Sequence, residues 1–323
     1  MNLTEDSRKK KGKRRMKIAF LNLCHTDPEM VARVADKLTK NPNFDMYIHV
    51  DLKSDIQPFQ QLLKGNRQVY FTKERQKVYW GGYNAIKASY ILLEAALSSE
   101  KNYDYVVMMQ NLDYPIKSNH YIERFFEQNK GTEFIRGCYI AKTKDWHYAE
   151  KYKIYNSRDK DFYLTSHAKP IKLLWDGVNA LKSISTIGFN GVHKENGEKI
   201  ELYYGTAQWA VTRECAAYMI EFHKTHPKFN KRMQHIKFPD EEYFHTVVHN
   251  SRFKERCVKY NEPVQRWLVN WRNIHYFEFP NTGVVVFNEN DYEKLMSREE
   301  LFCRKVRSGI SDKLLDKIDE QTE

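Results

Sequence analysis

The feature that most constrains the fold of this chain is an alternation of short apolar runs with amphipathic helical segments. The β-type runs are KIAFLNL, FDMYIHVD, QVYFTKE and YVVMM. Between them lie EMVARVADKL, with Asp27 as N-cap and Pro28 at the first helical position, and YNAIKASYILLEAAL, with one apolar face. This alternation predicts an α/β fold with a mostly parallel central sheet flanked by helices.

Two aspartates fall where such a sheet would bind a ligand. Asp51 ends the second predicted strand, and Asp113 follows the strand that begins at Tyr105. Ligands of open α/β sheets collect beyond the carboxyl ends of the strands. Aspartate is also a favoured turn residue, so the position of either residue alone does not decide its role.

Composition places the chain among globular proteins. With 323 residues, 41% of them hydrophobic, it can bury a full core. No uncharged apolar run approaches the roughly 18 residues of a membrane helix, and no signal peptide pattern is present. Five cysteines, odd in number and without a CxxC pair, suit a reducing compartment and burial as small apolar side chains. We therefore expect a soluble, cytoplasmic protein.

Part of the positive charge belongs to the N-terminus. Residues 1–15 hold seven Lys and Arg against two acids, which accounts for +5 of the net charge of +11. Such a run is typical of a solvated, disordered arm. Arg8 to Arg15 are a candidate contact for an anionic surface, including the inner face of a membrane, but the folded body shows no specific nucleic-acid motif. A basic-arm module that binds RNA or an anionic surface is the alternative from another functional class.

The rest of the chain predicts one domain with an interruption. Residues 140–200 are rich in Lys, Tyr and Asp and weakly periodic, so we expect an irregular or helical insertion there, a candidate lid. A strand from Gln208 to Val211 and a helix from about Glu214 follow. The predicted organisation is a basic arm (1–15), a single domain (16–310) and a polar C-terminal tail (311–323).

An acidic stretch allows two interpretations. In KFPDEEYFHTVV, the carboxylates Asp240, Glu241 and Glu242 lie between Pro239 and an apolar run. Pro at the first helical position and acids near the positive end of the helix dipole predict a helix start. The other interpretation is that one of these acids is a catalytic base.

Two metal-type patterns are weak. His245 and His249 have the spacing of a zinc pair, but Thr246 stands where a metalloprotease needs Glu, so we expect ordinary helical histidines rather than a zinc hydrolase. The literal Asp-x-Asp at residues 159–161 lacks a preceding apolar strand, and we expect a solvated loop there.

Seven motifs in order carry a resemblance. They are KIAFLNLCHTDPEMVARV, YIHVDLKSD, VYWGGYNAIKASYILLEAAL, NLDYPIKSN, YGTAQWAVTRE, FPDEEYFHTVV and LFCRKV. Together they resemble the core-2/I-branching N-acetylglucosaminyltransferase and peptide xylosyltransferase family, and especially its bacterial, soluble members. The resemblance spans about residues 17 to 306.

The resemblance implies a fold and a chemistry. The fold is GT-A-like, and the reaction transfers a sugar from a UDP donor to a hydroxyl of a glycan acceptor, with inversion and without a divalent metal or other cofactor. Such a site needs a base, positive charge for the departing diphosphate and a uridine pocket. Synthesis of a bacterial surface polysaccharide is the expected role.

The resemblance also assigns site residues. PDEEYFHTV matches the family's catalytic motif with Glu241 as base, although Glu242 remains a rival. Arg304 and Lys305 match its Arg-Lys pair, which would stabilise the leaving diphosphate.

Further positions match the donor pocket and the sugar site. The expected donor-binding residues are His25, Asp51, Trp80, Gly81, Gly82 and Asp113. Those expected to border the sugar and acceptor are Gly205, Thr206, Gln208 and Trp209. Related xylosyltransferases have an acid in the glycine motif, whereas GTAQW has none, which favours N-acetylglucosaminyl over xylosyl transfer.

Overall fold

The computed structural model describes residues 15–161, 168–258, 273–279 and 283–322. The predicted basic arm therefore lies, apart from Arg15, outside the described residues. The strands are β1 Ile18–Cys24, β2 Phe44–Val50, β3 Val69–Phe71, β4 Tyr105–Gln110, β5 Asp113–Pro115, β6 Cys138–Tyr139, β7 Val192–Glu195, β8 Glu198–Glu201, β9 Tyr203–Tyr204, β10 Trp209–Thr212, β11 His275–Phe277 and β12 Phe302–Arg304. The α-helices are α1 Pro28–Thr39, α2 Gln57–Leu62, α3 Asn84–Leu97, α4 Asn119–Gln128, α5 Trp146–Lys153, α6 Lys169–Lys182, α7 Arg213–Thr225, α8 Pro227–Met233, α9 Tyr243–His249, α10 Tyr292–Met296 and α11 Asp312–Thr322.

The central sheet confirms the predicted α/β class. Its strand order is β10-β4-β1-β2-β3, with β10 antiparallel and the other pairs parallel. All of β2 and nearly all of β1 and β4 are buried, because helices cover both faces and create one apolar cluster on each side. The α/β alternation therefore brings the carboxyl ends of β1, β2 and β4 to one edge.

A smaller sheet stands beside that edge. β12 pairs antiparallel with β5 and parallel with β11. The register places Arg304 directly opposite Asp113. The C-terminal part of the chain thus returns to the end of β4, which the order of the elements along the sequence does not indicate.

The segment 140–200 is an ordered insertion in its described part. It contains α5, α6, a 3-10 turn at Ser183–Thr186 and the hairpin β7–β8. The 3-10 turn packs on the end of α5, where the Tyr155 amide donates to Ser183 Oγ at 2.8 Å. The described part of the insertion therefore combines helices with a hairpin and irregular stretches, within the prediction of an irregular or helical insertion.

The C-terminus corrects the prediction of a polar tail at 311–323. α11 buries Leu314, Leu315 and Ile318 in the core. Its Asp319 pairs with Arg33 at 2.7 Å and with Lys37 at 2.6 Å. The helix belongs to the domain because its few apolar residues share one face and its acids meet cations on α1.

Two compositional expectations can be compared with the structure. All five cysteines are free and buried, as expected. No helix among the described residues is both long and apolar enough to cross a membrane.

Candidate active site

The acidic stretch is not one continuous α-helix. Residues Pro239–Glu241 form a 3-10 turn, and α9 begins only at Tyr243. Phe238, before the turn, has φ 57°, so the chain changes direction sharply there. The predicted helix start is therefore split in two, and the three acids point into different surroundings.

Glu241 lies in a partly open, polar setting. Its carboxylate accepts from Lys151 Nζ at 3.0 Å, and its side chain keeps 31% of its surface exposed. The Tyr204 hydroxyl also bonds to this carboxylate. Lys151 is buried and stands over the Tyr204 ring at 4.4 Å. Burial disfavours the ammonium, but the neighbouring acids, Glu241 foremost, outweigh that effect and raise the pKa of Lys151, so it is a fixed cation.

Glu242, the rival base, is sealed in the core. Its side chain is fully buried, and neither carboxylate oxygen has a hydrogen-bond partner among the described residues. Burial, opposed by Lys151 and reinforced by Glu241 and Asp240, raises its pKa to about 8. Glu242 is thus a neutral acid without access to a substrate, and of the two candidates only Glu241 can reach one.

Asp113 is an anchor for Arg304. Its buried carboxylate accepts from Arg304 Nη1 at 2.7 Å and from the Gln110 amide at 2.7 Å, and His275 Nε2 lies 3.2 Å away. Burial alone would raise the pKa of Asp113, but Arg304 and His275 hold it below its usual value. Because the carboxylate is fully buried, Asp113 can order a donor only by positioning Arg304.

Further cations surround Arg304. Lys305 is half-buried, and partial burial together with Arg304 and Arg307 lowers its pKa. His25, although much of its surface is exposed, has its pKa lowered by the protein around it and by Lys53, Arg304 and Arg307, against an opposing effect of Asp51. Neither Lys305 nor Arg307 has a carboxylate partner within 4 Å among the described residues. This cluster of positive charge is suited to an anion.

Asp51 fixes the loop before the WGG motif. It follows β2 directly, as predicted, and its carboxylate accepts from the Lys53 amide at 2.9 Å and the Val78 amide at 3.3 Å. Lys53 Nζ pairs with the same carboxylate and stands over the Tyr79 ring at 4.7 Å. Since Asp51 is 4% exposed, its carboxylate mainly fixes the loop that leads to Trp80.

The WGG motif packs against Phe238, which precedes the acidic turn. Trp80 is 78% exposed, and the centroid of its ring lies 4.7 Å from the centroid of the Phe238 ring in an edge-on arrangement. Gly81 has φ 73°, and a Cβ there would lie 3.0 Å from the Phe238 ring. A Cβ on Gly82 would lie 2.2 Å from Asp159 Oδ1. Both glycines are required by close packing, and the exposed indole beside Glu241's turn is free to stack on a ligand.

The Asp-x-Asp acids make protein contacts. Asp159 is half-buried and accepts from the Asn84 amide at 3.1 Å, at the start of α3. Asp161 accepts from the Tyr79 hydroxyl and from Lys77 Nζ at 3.2 Å. Asp161 stays largely exposed, as expected of a solvated loop, whereas Asp159 is half-buried, and the two acids hold the WGG loop and the start of α3. In the described part of the chain, no three His, Cys, Asp or Glu side chains form a group that could hold a metal ion.

The GTAQW motif contacts the backbone of the turn that carries Glu241. The Gly205 amide donates to the Glu241 carbonyl at 2.8 Å, and a Cβ at Gly205 would lie 2.3 Å from His245 Cε1. Thr206 and Gln208 are each 5% exposed, and the Thr206 hydroxyl bonds the Gln208 carbonyl at 2.7 Å. These residues position the turn rather than present open side chains.

Trp209 corrects a prediction. We expected it to border the sugar, but its indole is fully buried in the core, 5.1 Å from the Phe244 ring. It belongs to β10, whose pairing with β4 places this side chain in the apolar layer under α9.

The two histidines of HTVVH are structural, as expected. His245 Nε2 bonds the Thr206 carbonyl at 2.7 Å, and His249 Nε2 bonds the Ile135 carbonyl at 3.0 Å. Burial lowers the pKa of His245 to about 3 and that of His249 to about 4. Both are neutral donors to backbone carbonyls.

The candidate residues converge through contacts between loops. Phe238 joins the acidic turn to Trp80. Burial and Glu241 raise the pKa of Asp240, and Arg304 opposes this, which places the acidic turn within the field of the basic cluster. The partly exposed carboxylate of Glu241 therefore lies on a turn that is within electrostatic range of the basic cluster.

Sequence reasoning missed several residues of this site. Lys53 and Tyr204 lie within two of the quoted motifs, and Arg307 follows the Arg-Lys pair closely, so their position was a usable signal. Lys151 lies in the weakly periodic insertion, and nothing in its sequence surroundings indicates a partner ninety positions away.

Comparison with known proteins agrees with this geometry. The family model described as Core-2/I-Branching enzyme matches residues 18–295. The chain is 23% identical to xylosyltransferase oxt of Drosophila pseudoobscura pseudoobscura, over 96% of this chain and 34% of that protein. It is 22% identical to xylosyltransferase sqv-6 of Caenorhabditis briggsae, over 87% of this chain and 34% of the relative. It is 21% identical to human xylosyltransferase 2, over 94% of this chain and 33% of the relative.

The chain thus spans about a third of the length of these relatives. The family match covers most of the chain, and the mixed α/β fold with a mostly parallel sheet is consistent with a GT-A-like glycosyltransferase. The chain belongs to the Core-2/I-Branching enzyme family of glycosyltransferases.

Proposed function

We propose that this protein transfers a sugar from a UDP donor to a hydroxyl of a glycan acceptor in a single inverting displacement, with Glu241 as general base. The observation that carries the proposal is the setting of Glu241: it is a partly exposed acid, paired with Lys151, on a turn whose neighbouring Asp240 lies within electrostatic range of Arg304. Inverting transfer needs one base and no nucleophilic side chain.

The proposed step balances in protons and electrons. The acceptor oxygen forms a bond to the anomeric carbon while Glu241 takes the hydroxyl proton. The bond from that carbon to the diphosphate oxygen breaks, and its electron pair leaves with UDP. Arg304 and Lys305 stabilise the negative charge that develops on the leaving group. Asp113, which also lies beside His275, holds the Arg304 guanidinium in place for this task.

Catalysis without a divalent metal is part of the proposal. Fixed cations can neutralise a diphosphate in place of an ion, and Lys305 and Arg307 have no carboxylate partner in the described structure. Asp159 and Asp161, the only literal Asp-x-Asp of the chain, are occupied by contacts with Asn84, Tyr79 and Lys77.

For the donor sugar, two candidates have separate support. The absence of an acid in GTAQW supports N-acetylglucosamine, which we place first. The names of the relatives support xylose. An acceptor in bacterial surface polysaccharide synthesis and a cytoplasmic site of action complete the proposal and rest on the family resemblance alone.

A thermal-shift series tests the proposal. The full chain is heated with UDP, UDP-N-acetylglucosamine, UDP-xylose, UDP-glucose and, as control, ADP. A ligand of the native state at 100 times its Kd stabilises by about 2.7 kcal/mol. We expect UDP compounds to stabilise the protein and ADP not to do so. The sugar nucleotide that gives the largest increase in melting temperature identifies the donor. Stabilisation by ADP alone, or by no UDP compound, would refute the donor assignment.

A further inference from the structure

The insertion carries an outward apolar surface that the proposed reaction does not use. Fourteen large hydrophobic side chains are exposed in the described part of the chain, and six of them lie between residues 171 and 187. These six, which we call the outward face, are Ile171, Leu173, Leu174, Leu181, Ile184 and Ile187, with 54% to 79% of their surface exposed. Isolated exposed apolar residues are normal, but a cluster of this size marks an interaction surface.

The orientation of α6 makes the surface unusual. Ile171, Leu174, Val178 and Leu181 follow helical spacing and form one stripe on the outside. The polar Asn179 is the residue of the helix that is buried against the protein. Trp175 Nε1 donates to the Ser157 carbonyl at 3.1 Å on that inner side. The helix therefore turns its polar side inward and its aliphatic side toward solvent.

Positive charge adjoins the outward face. A cavity of about 810 Å³ lies beside it, and its lining includes Ser185 and Phe189, which are close in sequence to Ile184 and Ile187 of the outward face. Six cations line this cavity, which we call the basic groove: Lys142, Lys194, Lys199, Lys228, Lys231 and Arg232. None of the six has a carboxylate partner within 4 Å among the described residues. α6 itself holds three lysines against Asp176.

The groove is aromatic as well as basic, and it is held in place. Arg232 stands over the Phe189 ring at 3.9 Å, and burial lowers its pKa. His235 stacks on Tyr155 at 4.2 Å. The cations are thus presented from a fixed wall next to the aliphatic side chains, instead of along an unanchored segment.

We propose that the outward face and the basic groove dock the protein onto an anionic lipid bilayer, with the aliphatic side chains of α6 inserted and the groove cations on the headgroup phosphates. Interfacial helices combine a protruding apolar face with flanking lysines in this way. Side chains that project from a convex helix suit acyl chains, which need no complementary pockets. Juxtaposed cations give the electrostatic part of the affinity.

The proposal is independent of the basic arm. Arg15 lines a different cavity, next to Arg33 and Asn119, and not the basic groove. Deletion of residues 1–14 distinguishes the contributions of the two surfaces to binding, because the arm is then absent while the outward face is intact.

The experiment is co-sedimentation of the full chain with vesicles of phosphatidylcholine, with and without phosphatidylglycerol. We expect binding that requires phosphatidylglycerol, weakens with salt and survives deletion of residues 1–14. The pair Leu174→Gln and Leu181→Gln should lower vesicle affinity about tenfold or more, because two inserted aliphatic side chains are lost. Leu62→Gln, an exposed leucine on α2, is the matched control and should bind normally.

Charge reversal tests the groove. Lys194→Glu with Lys231→Glu should lower affinity for the anionic vesicles on the order of thirtyfold. Lys64→Glu with Lys317→Glu makes the same change on other exposed surfaces and should have a small effect. Thermal unfolding of every variant checks that it is folded.

Four results would overturn the proposal. The first is that the wild-type chain does not bind anionic vesicles, and the second is that deletion of residues 1–14 abolishes binding. The third is that target and control variants lose the same affinity. The fourth is that the leucine pair binds vesicles normally but shows a changed molar mass in light scattering. The last result would identify the outward face as a protein interface instead.

Discussion

Asp113 and Glu242 are both sealed from solvent, yet they have opposite electrostatic surroundings. Asp113 meets Arg304, His275 and a backbone amide, which hold its pKa below the usual value. Glu242 has no hydrogen-bond partner among the described residues, and burial raises its pKa to about 8. The comparison shows that burial without a hydrogen-bond partner favours the neutral form of a carboxyl group, whereas a directly bonded cation keeps it charged. The first acid can anchor a charged site, and the second cannot.

Glu241 is partly exposed, unlike these two acids, and its substitution gives the largest expected effect. Glu241→Gln removes the proposed base while keeping the shape, so we expect transfer to fall about 10²- to 10⁴-fold. UDP affinity, measured by calorimetry, should be nearly unchanged. Glu242→Gln is the matched control: it replaces an acid that is already neutral at pH 7, and activity should be largely kept. Full activity in Glu241→Gln, or loss confined to Glu242→Gln, would reverse the assignment.

Removing the charge of Asp113 tests the anchor. Asp113→Asn leaves Arg304 without its carboxylate, so we expect a loss of stability of about 3 kcal/mol or more, together with much weaker UDP binding. Asp45→Asn is the control, because Asp45 is a buried partner of Lys101 at 2.6 Å at the other end of β2. It should cost stability and leave UDP affinity intact. Normal UDP affinity in Asp113→Asn would contradict the anchoring role.

The basic cluster itself should matter for the diphosphate. Arg304→Ala combined with Lys305→Ala should weaken UDP binding about tenfold or more, since two charge-assisted contacts are lost. Lys313→Ala with Lys317→Ala, on the exposed side of α11, removes the same number of charges and should not change affinity. Equal calorimetric affinities of the two double variants would show that the cluster does not bind the diphosphate.

The two buried acids should respond to pH in opposite directions. Glu242 binds its proton more tightly in the folded state, so its contribution to stability is full below about pH 4.5 and declines as pH rises toward 8. The slope is at most about 1.4 kcal/mol per pH unit. Asp113 has a lowered folded pKa, so its contribution is present at neutral pH and is lost on acidification.

Denaturant unfolding of wild type and Glu242→Gln at pH 5 and pH 8.5 measures this effect. The variant should gain stability relative to wild type at the higher pH. A difference that does not vary with pH would mean that Glu242 is not the neutral buried acid described here.

Removal of divalent metal ions is expected to have no effect on transfer. Because fixed cations are proposed to stabilise the leaving group, transfer should persist in EDTA at the rate seen in untreated enzyme. Strict dependence on manganese would show that the diphosphate is stabilised differently. The control is a known manganese-dependent transferase assayed in the same buffer.

Several parts of the site were predictable from local patterns. The alternation of apolar runs with amphipathic helices predicted the central sheet, and Asp51 follows β2 as expected. Asp27 caps α1 by accepting from the Met30 amide at 3.2 Å, and Pro28 is the first helical residue. These features depend on neighbours within a few positions, so they can be read without the tertiary structure.

Other parts were not predictable, because they depend on contacts between distant segments. Trp209 looked like a ligand-binding aromatic, but the antiparallel pairing of β10 turns it into the core. The polar composition after residue 310 hid three apolar residues that α11 buries. Both errors have the same cause. Whether a side chain is buried depends on which other segments pack against its strand or helix.

The sequence by itself determined the α/β class, the family and the set of chemical groups available, including the three adjacent acids and the Arg-Lys pair. Only the tertiary structure decided which acid is accessible, since Glu241 is paired with Lys151 from the insertion while Glu242 enters the core. The physical reason is that access to solvent and distance to a counter-charge depend on residues far apart in the chain. A sequence motif identifies candidate residues, and tertiary packing determines which of them is accessible.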